Sequence, residues 1–319
     1  MSHSWAGRDQ RFVTEGRWSL RLATAIGRRQ LQAMKRSGLP EYLHEPFEFL
    51  LDRQIPGGDY GPVDRVEALR AELASRDGVV GVFDAVGADR ATTTDAVHRP
   101  DEGRPAVRSL FETAHVSSVT ALWGTFLHLC ARASRAKTIL ELGSGAGISG
   151  CYLGSAPSCR RFITVEGSHD RARLAEAHLR RIVSHVEVVT ASFDAALDRL
   201  HPTLHDGIDV VFIDGDKTKG SYLALLERLS ARLNRGAVVV FDDIQWSDVR
   251  DDWKALCARP GLSFAINVGR FGVCVWDGGA VLPQAFTLYG VCGVDLYRLR
   301  RDLMARSSVR TEIISGASS

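Results

Sequence analysis

The sequence predicts an α/β fold: a doubly wound, largely parallel sheet of seven strands that ends in an antiparallel hairpin, preceded by a mainly helical N-terminal region. Three observations carry this. From residue 138 onward short apolar runs alternate with segments of helical period. A glycine-rich turn, Gly143-Ser-Gly-Ala-Gly147, follows the first of those runs. The last two runs, Ser263 to Val268 and Arg270 to Trp276, are separated by Gly269 alone. Strands joined through crossover helices give the alternation, whereas two strands one residue apart have room only for an antiparallel return.

The elements follow in order. Arg17 to Arg36 is basic and helical in pattern, with Leu20, Leu22, Ala23, Ile26, Leu31 and Met34 as its apolar face. A turn-rich stretch, Ile55-Pro-Gly-Gly-Asp-Tyr-Gly-Pro62, separates it from a helix at Val63 to Ser75, and residues 84–105 read as a loop or lid. A further helix runs to about Ser134. Strands are expected at Thr138 to Leu142, Phe162 to Glu166, Val186 to Val189, Ile208 to Asp214 and Ala237 to Asp242. Helices between them are expected at 148–156, 168–183, 193–200 and 218–233. Beyond Asp277 one loop, a helical pattern at Val294 to Met304 and a disordered tail complete the chain. The division expected is a helical cap or interface region at 1–110, a catalytic domain at 111–280 and an extension at 281–319.

Bulk composition narrows the function class. With 45% hydrophobic and 24% charged residues the chain is ordinary globular material, and 40 Lys and Arg against 38 Asp and Glu leave a formal charge of +2. So small a charge points away from nucleic acid and membrane surfaces and toward a small-molecule partner, with a homodimer left open. The cysteines at 130, 151, 159, 257, 274 and 292 form no C-x-x-C pair and read as reduced thiols. Neither a membrane-length apolar run nor a secretory leader is seen, so the cytoplasm is the expected location.

The turn after the first strand is where a ligand is expected, because glycine removes the side chain and permits positive φ where backbone meets ligand. Gly143, Ser144, Gly145 and Gly147 are its candidates. Gly145 to Gly150 also spells G-x-G-x-x-G, so a dinucleotide remains readable from that motif alone. Two features argue against a dehydrogenase: Glu141, placed where the first strand's end can meet a cationic amino group, and the long segment before the motif. Glu166, at the next strand's end, has paired oxygens suited to ribose hydroxyls, and Gly167 and Ser168 follow it. The other reading of Glu166, an acid favourable to a helix N-terminus, is the lesser one given its place at a strand's carboxyl end. Ala191, Ser192 and Phe193 follow the third strand, where a hydroxyl and an aromatic face suit an adenine ring, though Ser192 reads as well as a helix cap. Ser117, in the segment before the first strand, is a further candidate contact.

Asp214 ends one strongly apolar strand and Asp242-Asp243 ends another, so three carboxylates are expected to share a crevice. Mg²⁺ is the economical way to hold them together, and turn capping by the Asp pair is the other reading. Lys217, near the start of a helix, is a candidate base with lowered pKa or else a surface charge. Trp123, Phe126, Trp246, Trp253 and Phe271 are available to line an acceptor pocket or to fill the core.

Asp214-Gly-Asp-Lys217 followed by Asp242-Asp-Ile-Gln-Trp246 resembles the motif pair of the cation-dependent, catechol O-methyltransferase-like branch of class I methyltransferases, over residues 115–276. The resemblance implies a Rossmann-like fold, S-adenosylmethionine as cofactor with Asp214 also at its site, Mg²⁺ on Asp214, Asp242 and Asp243, and Lys217 as base. In that branch the second member of the pair is usually Asn, so Asp243 adds a carboxylate. Leu43-His-Glu-Pro-Phe47, Val66-Glu-Ala-Leu-Arg70 and Asp84-Ala-Val-Gly-Ala88 are similar to the N-terminal part of uncharacterised bacterial methyltransferases that share Asp-Asp-Ile-x-Trp. The expectation is methylation of a small-molecule hydroxyl with metal assistance. A metal-independent N-methyltransferase, an NAD-dependent oxidoreductase and a non-catalytic cofactor binder stand as alternatives.

Overall fold

The computed structural model describes residues 17–81 and 107–291. The expected loop at 84–105, the helix at 294–304, the C-terminal tail and Cys292 lie outside the described residues. The N-terminal part holds α1 (Arg17–Arg36), α2 (His44–Asp52), α3 (Gly61–Ser75) and a two-stranded antiparallel ribbon of β1 (Val79–Gly81) and β2 (Val107–Ser109). The single helix expected up to Ser134 is two, α4 (Leu110–His115) and α5 (Ala121–Ala133). Ser109 closes a capping box with Glu112 at the start of α4, a signal that marks a separate helix start.

The alternating part follows as β3 (Thr138–Leu142), α6 (Ile148–Gly154), β4 (Arg161–Glu166), α7 (His169–Leu179), β5 (Val186–Thr190), α8 (Phe193–Leu200), β6 (Ile208–Ile213), α9 (Ser221–Ser230) and β7 (Leu233–Phe241). It ends with α10 (Arg250–Leu256), β8 (Leu262–Asn267), β9 (Gly272–Trp276) and β10 (Gln284–Thr287). Strand order in the main sheet is β10-β8-β9-β7-β6-β3-β4-β5. β9 runs antiparallel to both its neighbours, as the hairpin required, although four residues rather than one separate β8 from β9. The sheet has eight strands, not seven, because β10 pairs in parallel with β8. Gln284-Ala-Phe-Thr287 has no period-two signal of its own; the free edge of β8 recruits it.

Alternation along the strands assigns the two faces. Ile139, Phe162, Val210, Phe212, Val238 and Val240 meet α2, α3, α5 and α6 in one core, with Phe47, Leu50, Val66 and Phe126 among its members. Leu140, Leu142, Ile163, Val211, Ile213 and Phe241 meet α8, α9 and α10 in the other, with Leu197, Tyr222 and Leu226. The described N-terminal helices are thus continuous with the first core. Arg70, 4% exposed, locks them there by donating to the carbonyls of Ala114 and Val119, each at 2.6 Å. Among the described residues no helix is long and apolar enough to cross a membrane, and Cys130, Cys151, Cys159, Cys257 and Cys274 are free thiols.

β3 lies between β6, which is reached late in the chain, and β4, which follows it directly. This is the topological switch point of the sheet, and the crevice outside the carboxyl ends of β3 and β6 is where an open α/β sheet takes its ligand.

Candidate active site

Two turns meet at that crevice. After β3 the chain passes through Gly143 (φ 102°), Gly145 (φ 52°) and Gly147 (φ 80°), all in the region that favours glycine. A Cβ on Gly143 would lie 2.1 Å from the Asp214 carbonyl oxygen, and one on Gly147 would press on Ala175 of α7 at 3.0 Å. A Cβ on Gly145 or Gly167 would meet nothing within 4 Å, so these two positions face open space. The Asp214 amide donates to Leu142 O at 2.8 Å, which ties the end of β6 to the glycine turn.

Glu166 braces the turn from the far side. Its Oε2 accepts from the Gly145 amide at 2.9 Å and its Oε1 from the Ser168 amide at 3.0 Å. Each carboxylate oxygen keeps a second lone pair, so the carboxylate still has the capacity expected for ribose hydroxyls. Ser168 and Ser192 both cap helices, accepting from the Arg171 and Ala195 amides at 3.4 Å. Ala191 is buried, its amide bonded to Glu166 O at 3.1 Å. The Phe193 ring lies over Gly215, where a Cβ would stand 2.6 Å from Cζ, so the start of α8 closes onto the Asp214 turn. Ser144 is buried with its hydroxyl unpartnered. Ser117 sits apart from these, on the linker after α4, its amide donating to Glu112 O.

Glu141 is fully buried. Thr164 Oγ1 donates to its Oε2 at 2.7 Å, Ser149 hydrogen-bonds it from α6, and Oε1 has no partner. Burial pushes this carboxyl up to about 7, with the two hydroxyls opposing the shift.

The acidic cluster forms as expected. One oxygen from each of Asp214, Asp242 and Asp243 lies within 4.8 Å of the others. Asp243 (φ 54°) and Asp216 (φ 47°) adopt left-handed backbone, which Asp and Asn tolerate better than other non-glycine residues. Lys217 Nζ stands 3.2 Å from Asp214 Oδ1 and 3.5 Å from Asp243 Oδ2. Burial alone would lower its pKa, but the surrounding carboxylates outweigh burial and raise it. A lysine with lowered pKa was expected; the carboxylates around Lys217 push it in the opposite direction.

Three further residues complete the cluster, and sequence reasoning did not single them out. Arg270, on the turn between β8 and β9, donates from Nε to Asp242 Oδ1 and from Nη2 to Asp242 Oδ2, each at 2.6 Å. Burial would raise the Asp242 pKa, yet this fork holds it low, whereas burial and the charge of Asp242 raise Asp214 and Asp243. The Tyr222 hydroxyl donates to Asp242 O. Buried Asp252 accepts from the Gly220 amide at 2.8 Å and the Tyr222 amide at 3.2 Å, holding the start of α9 and the loop that carries Lys217. An arginine in a hairpin turn at the strands' carboxyl end was the available signal for Arg270. Of the aromatic candidates, Trp123, Phe126, Trp253 and Phe271 are core residues, while Trp246, two turn residues beyond Ile244, is 46% exposed.

Residues 140–244 match the family model described as a methyltransferase domain. The chain is 37% identical over 185 residues to a catechol O-methyltransferase of Mycobacterium tuberculosis, covering 51% of this chain and 79% of that protein. It is 34% identical over 134 residues to a catechol O-methyltransferase of Niastella koreensis, covering 40% of this chain and 58% of that one. Among solved structures it is similar to an O-methyltransferase from Bacillus cereus in complex with SAH, at 19% identity and a TM-score of 0.46, covering 81% of this chain and 100% of that one.

Proposed function

We propose that this chain, which belongs to the catechol O-methyltransferase-like family of S-adenosylmethionine-dependent methyltransferases, methylates a hydroxyl group of a small molecule in the crevice between the glycine turn and the carboxylate cluster. The observation that carries the reading is the packing of Gly143 directly on the Asp214 carbonyl. A cofactor laid on the turn is then a neighbour of Asp214, Lys217 and Asp243, so donor and acceptor share one surface.

Methyl transfer from a sulfonium is a direct displacement: the carbon–sulfur bond breaks as the oxygen–carbon bond forms, the thioether leaves, and the hydroxyl proton passes to solvent water. Alignment supplies much of the acceleration. Gly145 and Gly167 leave room for the cofactor, and Glu166 offers its free lone pairs to the ribose. The three carboxylates are hard oxygen donors in convergent positions and fit a divalent cation in type, so Asp214, Asp242 and Asp243 are the residues that would hold Mg²⁺. Such an ion, when bound, lowers the pKa of a coordinated hydroxyl. Lys217, as a cation beside Asp214 and Asp243, favours the deprotonated acceptor oxygen, and Trp246 offers a flat apolar surface to an aromatic ring.

The test is a transfer assay with S-adenosylmethionine and separate vicinal diphenols, monophenols and aromatic amines, read by mass spectrometry with Mg²⁺ or with EDTA. Gain of one methyl on a diphenol oxygen is expected. Methylation confined to amines would overturn the acceptor assignment, and equal rates in EDTA would remove the metal from it.

A further inference from the structure

The acidic cluster is already supplied with protein cations. Three carboxylates meet Lys217 and Arg270, which leaves a formal charge of about −1 where an unpaired trio would carry −3. Asp242 is the most committed of the three. Its side chain is fully buried, both oxygens accept from the Arg270 fork, and Oδ1 also accepts from the Asp243 amide at 2.8 Å. Bidentate guanidinium–carboxylate pairs are the strong, geometrically specific ones.

Arg270 is itself held in place. Its backbone oxygen accepts from the Ile244 amide at 3.3 Å, just past the Asp pair, and Val268 N donates to Phe271 O at 3.0 Å across the turn. Its guanidinium stands 5.8 Å from the centre of the Phe271 ring, and its Nε is 3.7 Å from Asp243 Oδ1. The cation therefore faces two of the three carboxylates from a tethered hairpin.

We propose that Arg270 is a built-in counter-cation that keeps the affinity of this cluster for divalent ions low. It sets how far the reaction depends on metal. An incoming ion meets a guanidinium fixed beside Asp242 and Asp243, and it gains Asp242 as a ligand only by sharing or displacing the fork. Asp214 and Asp243 remain as the open ligands. Removing the Arg270 charge leaves a trio offset by Lys217 alone, which is a stronger divalent site. The inference rests on the crevice being the reaction site.

The experiment titrates Mn²⁺ into purified wild type, Arg270→Gln and Arg270→Lys, following free Mn²⁺ by electron paramagnetic resonance, with S-adenosylmethionine binding measured separately by calorimetry. Arg270→Gln is expected to bind Mn²⁺ about tenfold tighter or more, since a unit charge beside a divalent ion is worth at least that factor. Arg270→Lys should remain close to wild type. Equal or weaker binding by Arg270→Gln, including no binding by any form, overturns the proposal. Wild type supplies a reading that needs no variant: a millimolar dissociation constant is expected, and a micromolar one overturns the proposal even where Arg270→Gln fails to fold. Absence of S-adenosylmethionine binding by wild type would instead defeat the reading of the crevice.

Discussion

His128 shows what a single buried group imposes on the chain. It is 2% exposed, with Nδ1 at hydrogen-bond distance from Tyr152 O (3.1 Å) and Ser155 Oγ (3.0 Å), and Nε2 has no partner. Burial pushes it down to about 4; the Tyr152 carbonyl and Asp59 oppose that, while Arg132 and Arg65 add to it. In the unfolded chain a histidine takes its proton near pH 6.5, so between about 6.5 and 4 the unfolded state binds the proton and the native state does not. Stability is expected to fall by roughly 3 kcal/mol across that window on this account. Glu141, pushed up to about 7, acts in the opposite sense, because the native state holds its proton from about 7 down to the ordinary carboxyl range. The difference between wild type and His128→Gln therefore isolates the histidine. Denaturant titrations at pH 7 and pH 4.5 should show a smaller acid loss for the variant, and identical losses would remove His128 as the cause. At this scale Gly143, Asp214 and Asp242 could be read from the sequence, since each sits at a strand end marked by local pattern. For Arg270 the predicted hairpin turn gave its place, but not its pairing with Asp242, which lies 28 residues away.

Among the elements, the strands and crossover helices of the parallel part were readable because apolar runs and their helical spacers are local. The elements missed depend on distant partners. β10 exists through the free edge of β8, and α2 and α10 are short helices whose apolar residues acquire meaning from the cores they fill. α9 shows how an element serves the site. Gly220, in the left-handed region, precedes its first residue and has no side chain to cap with, so Asp252 of α10 accepts the Gly220 and Tyr222 amides in its place. Replacing Asp252 with Ala leaves the half-buried Gly220 amide and the buried Tyr222 amide without this acceptor and is expected to cost about 1 to 3 kcal/mol. The Lys217 loop should lose order with it. Amide hydrogen exchange across residues 215–225 reads this directly: faster exchange is expected there and not in β3. An unchanged pattern would mean that the loop is held by other contacts.

For the whole molecule, the sheet order places the switch point between β3 and β6, and that arrangement puts the glycine turn against the Asp214 turn. Everything assigned to the crevice follows from this contact. The N-terminal helices share the first core with the sheet, and Arg70 ties α3 to the Ala114 and Val119 carbonyls. The measurement that tests the central claim most directly is calorimetric titration of wild type and Gly143→Ala with S-adenosylmethionine and with NADH. The variant forces a Cβ to within 2.1 Å of the Asp214 carbonyl at a φ of 102°, so the turn must move. Micromolar binding of S-adenosylmethionine to wild type, lost by about tenfold or more in a folded Gly143→Ala, is the expected result. Binding of NADH in its place, or S-adenosylmethionine affinity indifferent to Gly143, would contradict the account.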